Sequence, residues 1–119
     1  MTLSAARVAL IPGGARGIGR AVALALVADG WRVAVAYRAS RAEAEGIVAA
    51  AAAAGLDAVA LQADVSVPAE TQLVQQVLER WDRIDALVNA FGPYHRVNLR
   101  EETPAGWHEM FDNNLHPVF

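Results

Sequence analysis

A glycine-rich loop near the N-terminus is the clearest sign of chemistry in this 119-residue chain. It reads Gly13-Gly14-Ala15-Arg16-Gly17-Ile18-Gly19 and follows an apolar run at residues 7–11. Gly13 allows a sharp turn after a strand, Gly17 lets a phosphate approach the backbone, and Gly19 lets helix and strand pack closely. The free N–H groups and positive dipole end of the following helix would bind that phosphate. The loop therefore predicts a site for the pyrophosphate of a dinucleotide, and the alternative is a tight strand–helix turn without a ligand.

Two further polar side chains stand where later strands are predicted to end. Asp64 follows the run at residues 58–63, and Asn89 ends the run at residues 84–89. In an open α/β sheet, ligands bind at the edge formed by the carboxyl ends of the strands. Asp64 could instead cap the next helix, a task for which Ser66 competes. The Asn89 amide could likewise hold the turn or stabilise the central strand, so both residues have a structural alternative.

The elements that position these residues alternate between short strands and longer helices, a pattern typical of βαβ units. Strands are predicted at residues 7–11, 32–37, 58–63 and 84–89. Helices are predicted from the glycine loop to residue 28, at 41–54, at 66–81 and from 104 onward. Ser40, Ser66 and Thr103 are the expected N-caps. The predicted fold class is α/β, a Rossmann-type doubly wound parallel sheet with three α/β/α layers, truncated after four strands.

Apolar residues at helical spacing predict the buried face of three of these helices. In the first predicted helix the stripe consists of Ile18, Val22, Ala25 and Leu26. In the third helix it consists of Leu73, Val74, Val77, Leu78 and Trp81, and in the last helix of Trp107, Met110, Phe111 and Leu115. With 55% hydrophobic and 19% charged residues, the chain can bury a core of this kind.

Composition argues against several classes of function. A net charge of −3 disfavours nonspecific nucleic-acid binding, which needs a basic surface. The chain has no cysteine, which excludes disulfides and thiolate metal sites. His95, His108 and His116 are scattered without an acidic partner at ligand spacing, so no metal site is expected. Neither a secretory leader nor an apolar run of bilayer-spanning length is found, and we expect a cytoplasmic protein that does not bind membranes.

Four motifs in the same order resemble those of the short-chain dehydrogenases/reductases. The glycine loop is similar to the family's TGxxxGIG fingerprint, and Asp64-Val65 resembles the pair whose Asp contacts adenine. Leu87-Val88-Asn89-Ala90-Phe91-Gly92 is similar to the family's Asn-Asn-Ala-Gly stretch, and Asn114-Leu115-His116-Pro117-Val118-Phe119 to its Asn-Leu-x-x-x-Phe. The resemblance implies that residues 1–119 are the N-terminal part of a longer NAD(P)-binding domain, in a homo-oligomer. Such enzymes transfer a hydride between nicotinamide and a carbonyl or alcohol carbon of a small molecule.

The resemblance also implies which residues contact the cofactor: Gly13, Arg16, Gly17, Ile18, Gly19, Arg38, Ser40, Asp64, Val65, Asn89, Ala90 and Gly92. At the end of the second strand, a carboxylate would bond the ribose of NAD, whereas an arginine accommodates the 2′-phosphate of NADP. Arg38 and Ser40 stand there with no acid before Glu43, and Arg16 can flank them. We therefore expect NADP rather than NAD, and the alternative for Arg38 is a solvated arginine at a strand end. Residues 37–44 resemble the 3-oxoacyl-carrier-protein reductase and pteridine reductase branches, which implies a 3-oxoacyl thioester or pteridine-like substrate.

The family's catalytic residues are mostly missing. Asn114 is the one member of its catalytic tetrad that the resemblance places here, and Asn113 competes for that position. The family also needs a Ser and a Tyr-x-x-x-Lys pair, in which the lysine lowers the pKa of the tyrosine that transfers the proton. The chain has no lysine, and neither Tyr37 nor Tyr94 begins this motif. We expect binding without turnover from these residues; the alternatives to a reductase are a non-catalytic nucleotide-binding or regulatory module, and a structural partner that completes its sheet with another chain.

Three residues depart from the resembled pattern. Pro12 replaces a threonine and offers neither a hydroxyl nor an N–H group, so we expect an altered glycine loop that still binds cofactor. Phe91 replaces a small alanine and must either point away or narrow the nicotinamide side of the cleft. Pro117 removes a hydrogen bond to the Asn113 carbonyl and should distort the last helix at that point.

Overall fold

Strands and helices alternate along the chain, as the sequence predicts. A computed structural model describes residues 6–68, 72–93 and 96–119. The elements are β1 (Val8–Pro12), α1 (Gly17–Ala28), β2 (Arg32–Tyr37), α2 (Arg41–Ala53), β3 (Ala58–Gln62), α3 (Leu73–Trp81), β4 (Ala86–Leu87) and α4 (Pro104–Asn114). Short 3₁₀ turns at Leu99–Glu101 and His116–Val118 flank α4. Tyr94, His95 and residues 69–71 of the predicted third helix lie outside the described residues.

The four strands form one parallel sheet in the order β3-β2-β1-β4. The chain moves outward from β1 through β2 to β3, and then returns to place β4 on the other side of β1. The carboxyl ends of β1 and β4 therefore border the crevice at which the direction of winding reverses, the place where doubly wound sheets bind ligands. The glycine loop leaves β1 at this crevice, and residues 88–93 leave β4 there.

Side chains alternate across the sheet into two apolar clusters. Ala9 and Ile11 of β1 face α1 and α2 together with the buried Ile47. Val8 and Leu10 face the opposite side and pack with Leu73 and Val77 of α3. Fully burying one such aliphatic side chain contributes roughly 2 kcal/mol. Helices thus cover both faces of the sheet, which confirms the predicted three-layer Rossmann-type fold.

The buried faces of the helices differ from the predicted stripes. α1 turns Gly19, Ala23 and Val27 toward the sheet, and Ile18 is 83% exposed. The close packing of Gly19 on the glycine loop decides this rotation, which hydrophobicity alone does not reveal.

The other two predicted stripes are only partly buried. In α3, Leu73 and Val77 are buried, whereas Val74 and Leu78 are exposed. In α4 only Gly106 is buried, and Trp107 and Leu115 are more than half exposed. Met110 and Phe111 are half-buried, so the predicted stripe of α4 is buried only in part in the portion of the chain that the structure describes. Within the described residues, no helix is both long and apolar enough to span a membrane.

Several element boundaries and one cap also differ from the prediction. β4 is shorter than the predicted run, although the backbone bonds from Asp85 N to Val8 O (2.8 Å) and from Ala90 N to Pro12 O (2.9 Å) continue its pairing with β1. β3 ends at Gln62 rather than at residue 63. Ser66 does not cap α3, because that helix begins at Leu73 after the N-cap residue Gln72.

The remaining caps show why some helix ends can be read from sequence. Thr103 Oγ1 accepts a hydrogen bond from Gly106 N (3.0 Å), with Pro104 at the first helical position, which confirms that N-cap. Ser40 occupies the N-cap position of α2, but its side chain makes no capping bond. α4 ends at Asn114, and a 3₁₀ turn that contains Pro117 follows. The helix is therefore interrupted at the point where Pro117 was expected to distort it.

Candidate nucleotide-binding site

The glycine loop is fixed against the sheet by backbone contacts. Gly13 N donates to Ala36 O (2.9 Å), which ties the loop to the end of β2. Gly13 has φ +80°, and a Cβ at this position would collide with the carbonyl oxygen of Ala90. A Cβ on Gly19 would collide with the carbonyl oxygen of Gly13. β1, β4 and α1 can therefore meet this closely only because these positions lack side chains.

The outer part of the loop is open. Gly17 has φ +55°, and apart from its chain neighbours and the adjoining backbone of α1 no heavy atom lies within 4 Å of the point where its Cβ would stand. The N-cap residue of α1, Arg16, makes no side-chain capping bond, and the first turn carries no acidic residue. No side chain caps this helix end and the space beside Gly17 is open, an arrangement that fits a phosphate group.

A cavity of about 600 Å³ opens at this edge of the sheet. Its walls come from the glycine loop, the end of β2, the turn after β3, the loop after β4 and one side of α4. It brings together seven of the residues expected to contact a cofactor: Gly13, Arg16, Arg38, Ser40, Asp64, Val65 and Gly92. The other five do not line it: Gly17, Ile18, Gly19, Asn89 and Ala90.

The positive charge of the cavity comes from two arginines. Arg16 and Arg38 are both exposed and both line the wall, with the half-buried Ser40 beside them. Gln62 Nε2 donates to Arg38 O (3.2 Å), so the neighbouring strand holds the backbone here. The nearest acid along the chain is Glu43 in α2, which does not line the cavity. Two guanidinium groups and a hydroxyl near one another suit a phosphate monoester.

Asp64 holds the turn that follows β3. Its Oδ1 accepts hydrogen bonds from Ser66 Oγ (2.6 Å) and Ser66 N (3.0 Å). The Ser66 hydroxyl, then the Ser66 N–H group and the charge of Arg38, lower the pKa of Asp64 below its usual value. The carboxylate therefore stays ionised and organises the turn, rather than capping α3 as the sequence had left open, while it also lines the cavity.

Sequence reasoning did not assign several residues of the cavity wall. Phe91 and Pro93 line it from the loop after β4, and Glu109 and Asn113 line it from α4. Glu109 and Asn113 are four residues apart and so share one face of a helix, a spacing that could have revealed them together. Phe91 was noticed only as a departure from a family pattern, because its direction depends on the path of the loop.

The two neighbouring asparagines of α4 have different surroundings. Asn114 Nδ2 donates to Met110 O (3.0 Å) and Pro93 O (3.4 Å), and its Oδ1 lies so close to Gly92 that a Cβ there would collide with it. Asn113 lines the cavity, and its Nδ2 donates to the carbonyl of Glu109 (2.9 Å). Asn114 thus joins α4 to the loop after β4, and Asn113 faces the cavity.

One histidine differs from the expectation. His116 Nδ1 lies 2.9 Å from Asp112 Oδ1 on the exposed side of the C-terminal turn, so it does have an acidic partner. The two residues are four positions apart and therefore adjacent on a helical surface. Across the described ranges, no three histidine, aspartate or glutamate side chains gather as metal ligands do.

Known proteins share this sequence and fold. A family model described as short chain dehydrogenase matches residues 7–119. A 3-oxoacyl-[acyl-carrier-protein] reductase of Synechocystis sp. is 42% identical over 120 residues, which cover 100% of this chain and 49% of that protein. The chain spans about half the length of the curated relatives that it matches.

Two solved structures show the same architecture with different cofactors. A putative dehydrogenase from Burkholderia cenocepacia with bound NADP superposes with a TM-score of 0.88 at 35% identity, over 96% of this chain and 44% of that one. An NADH-dependent reductase complexed with NAD gives a TM-score of 0.84 at 31% identity, over 95% of this chain and 48% of that one. The sheet order, the glycine loop and the match over residues 7–119 together show that this chain belongs to the short-chain dehydrogenase family.

Proposed function

We propose that this chain is the N-terminal, cofactor-binding part of an NADP-dependent oxidoreductase of the short-chain dehydrogenase type. The observation that carries the proposal is the pair Arg16 and Arg38, which line the cavity with Ser40 where no acidic side chain follows β2. Related folds hold NADP in one case and NAD in another, so the architecture does not choose between them. The two arginines favour the dinucleotide that carries the extra 2′-phosphate.

The other residues of the site fit the remaining parts of the cofactor. In this proposal, Gly13, Gly17, Ile18 and Gly19 bind the pyrophosphate at the N-terminus of α1. Asp64 and Val65 contact the adenine, and Asn89, Ala90 and Gly92 contact a ribose. When bound, the nicotinamide supplies or accepts a hydride.

We propose Asn114 as the member of the catalytic tetrad, because its amide is held against the loop that leaves β4. Asn113, by contrast, faces the cavity. The proton donor and its lysine partner are not among these 119 residues, which contain no lysine. The proposed substrate is a small carbonyl compound of the 3-oxoacyl thioester or pteridine class, and the proposed assembly is a homo-oligomer.

The second candidate function is a nucleotide-binding module without catalysis. It is favoured by the same lack of lysine, since Tyr-x-x-x-Lys cannot be formed from these residues. The two functions are distinguished by mixing the whole encoded protein with NADPH and either a short 3-oxoacyl thioester or an oxidised pteridine. Loss of NADPH absorbance supports the oxidoreductase, whereas binding of NADPH without oxidation supports the module.

The cofactor preference is tested by titrating the protein with NADPH and NADH in a calorimeter. We expect NADPH to bind at least about 10-fold more tightly than NADH. Charge-assisted hydrogen bonds to the 2′-phosphate should each contribute about 1.5 kcal/mol or more to the binding free energy. Arg38→Ala should remove most of this difference by weakening NADPH alone. Arg41→Ala is the matched control, since Arg41 is an exposed arginine that does not line the cavity. Equal affinities for the two dinucleotides, unaffected by Arg38→Ala, would contradict the proposal.

A further inference from the structure

The geometry points to a ligand contact from the side chain of Phe91. We propose that the Phe91 ring packs against the adenine base of the bound dinucleotide and contributes to its affinity. The inference rests on the proposed function and deepens it, because it assigns one aromatic side chain to one part of the cofactor.

The direction of Phe91 follows from the path of the chain after β4. Val88 and Ala90 pack on the cluster beneath α1 and α2. The bond from Ala90 N to Pro12 O (2.9 Å) keeps this segment paired with β1, so its side chains still alternate between the two faces. Phe91 therefore points to the face that carries α3, where the turn after β3 and one side of α4 close the cavity.

The composition of the cavity wall identifies which half of the dinucleotide the ring meets. Phe91 shares the wall with Arg38, Ser40 and Asp64, which stand at the proposed 2′-phosphate and adenine positions. Asn114, the residue proposed to act at the reacting end, does not line this cavity. The ring thus lies on the adenosine side of the site. The proposed position differs from both expectations from the sequence, a ring turned away and a narrower nicotinamide side.

The ring is available to a ligand. Phe91 is only half-buried, and the ring–ring contacts in the described parts of the chain involve Trp107, Phe111 and His116 instead. Its backbone lies close to the glycine loop, because Phe91 N is 2.7 Å from the point where a Cβ on Gly13 would stand. A half-buried aromatic ring in the wall of a charged cavity suits a flat heteroaromatic base.

The experiment uses adenosine 2′,5′-bisphosphate, which carries the adenine and the 2′-phosphate but no nicotinamide. Phe91→Leu keeps an apolar side chain and removes the ring, so we expect its dissociation constant to rise about 3- to 10-fold. Phe91→Tyr keeps the ring and should bind like the unchanged protein, which guards against a folding defect in the leucine variant. Phe111→Leu is the matched control, because that ring packs on Trp107 (5.3 Å between centroids) and does not line the cavity.

A second readout reports the ring directly. The adenine H2 and H8 signals of the bound bisphosphate should shift upfield in the unchanged protein and in Phe91→Tyr, and the shift should be lost in Phe91→Leu. If neither NADPH nor the bisphosphate binds to the unchanged protein, the proposed function itself fails. If both bind but Phe91→Leu changes neither the affinity nor the adenine signals, only the role of Phe91 is overturned. Weaker binding of NADPH with unchanged binding of the bisphosphate would place the ring at the nicotinamide half and also overturn it.

Discussion

Gly17 and Gly55 share a backbone conformation that L-residues rarely adopt, but only Gly17 belongs to the loop that is proposed to bind a phosphate. Their φ angles are +55° and +75°, and in both cases the space around a Cβ would be open. An alanine at either position should therefore cost a similar free energy of unfolding, about 1 kcal/mol, from the left-handed backbone alone. Gly17→Ala should in addition weaken NADPH binding at least about 10-fold, because a methyl group would occupy the surface that a phosphate approaches.

The measurement pairs urea unfolding with calorimetric titration of NADPH for both variants. Gly55→Ala supplies the control, since Gly55 follows α2 at the opposite edge of the sheet from the glycine loop. If Gly17→Ala is destabilised like Gly55→Ala yet binds NADPH normally, the outer loop is not a phosphate site.

At the scale of single residues, the positions that require glycine could be predicted from the sequence more accurately than the directions of side chains. Gly13, Gly17 and Gly19 could be recognised because a turn between strand and helix leaves few alternatives to glycine. The buried face of α1 could not, since it depends on how closely Gly19 approaches the loop. Phe91 shows the same limit, because its position in the cavity wall requires the pairing of residue 90 with β1.

Two helix N-caps that look alike in sequence should respond differently to the same change. Thr103 Oγ1 accepts a hydrogen bond from Gly106 N, whereas Ser40 makes no capping bond and lines the cavity instead. Thr103→Ala should therefore lower the free energy of unfolding by about 1 kcal/mol and leave NADPH binding unchanged. Ser40→Ala should do the reverse, with stability nearly constant and weaker NADPH binding.

Each variant serves as the control for the other when unfolding and NADPH titration are measured on both. Thr103→Ser should restore stability, because it keeps the acceptor oxygen. A loss of stability in Ser40→Ala equal to that in Thr103→Ala would show that the hydroxyl of Ser40 caps α2 after all.

The C-terminal end of α3 is tied to the sheet by an ionic contact that should titrate. Arg80 Nη2 lies 3.1 Å from Asp57 Oδ1, and Trp81 Nε1 donates to Asp57 Oδ2 (2.9 Å) just before β3 begins. The bond from Arg80 lowers the pKa of Asp57, with a smaller contribution from Trp81. A carboxylate with a lowered folded pKa stabilises the protein above its unfolded pKa of about 3.9, and this contribution disappears as the pH falls through the folded pKa.

Asp57→Asn should therefore be less stable than the unchanged protein at pH 7, and the difference should shrink as the pH falls below about 4. The effect is small because both side chains are about half exposed. Urea unfolding at several pH values measures it. Asp57→Asn in an Arg80→Gln background is the control, because the partner of the carboxylate is then already absent, and the change in stability should be smaller. A difference between Asp57→Asn and the unchanged protein that is constant from pH 7 to pH 3 would contradict the assignment.

Among the elements, those with strong start and stop signals were predicted most accurately. The Thr103-Pro104 pair marked the start of α4 correctly, and Gly30 followed the end of α1 as expected. Ser66 was assigned to the wrong task, because a hydroxyl can bond a neighbouring carboxylate as easily as a helix N–H group. β4 appeared longer in sequence than it is, since an apolar run does not show where regular pairing ends.

For the whole molecule, the decisive feature is that β4 lies beside β1, so that the glycine loop and residues 88–93 border the same crevice. Alternating strands and helices predicted a parallel sheet, but the order of strands that forms the crevice became visible only in the structure. The same arrangement places the loops that follow β1, β2, β3 and β4, together with one side of α4, around a single cavity. Binding should therefore stabilise the entire fold rather than one loop.

This coupling gives a prediction for thermal unfolding. A ligand that binds only the folded state adds about 2.7 kcal/mol of stability at 100 times its dissociation constant. At one fixed concentration, NADPH should therefore raise the midpoint temperature of unfolding by several degrees more than NADH does. Arg38→Ala should bring the NADPH shift down to that of NADH, because both would then lack a bond to the 2′-phosphate, while Arg41→Ala should keep the full difference. Scanning calorimetry of the three proteins with each dinucleotide measures these shifts, and an equal rise with NADPH and NADH in the unchanged protein would show that the two arginines do not select the cofactor.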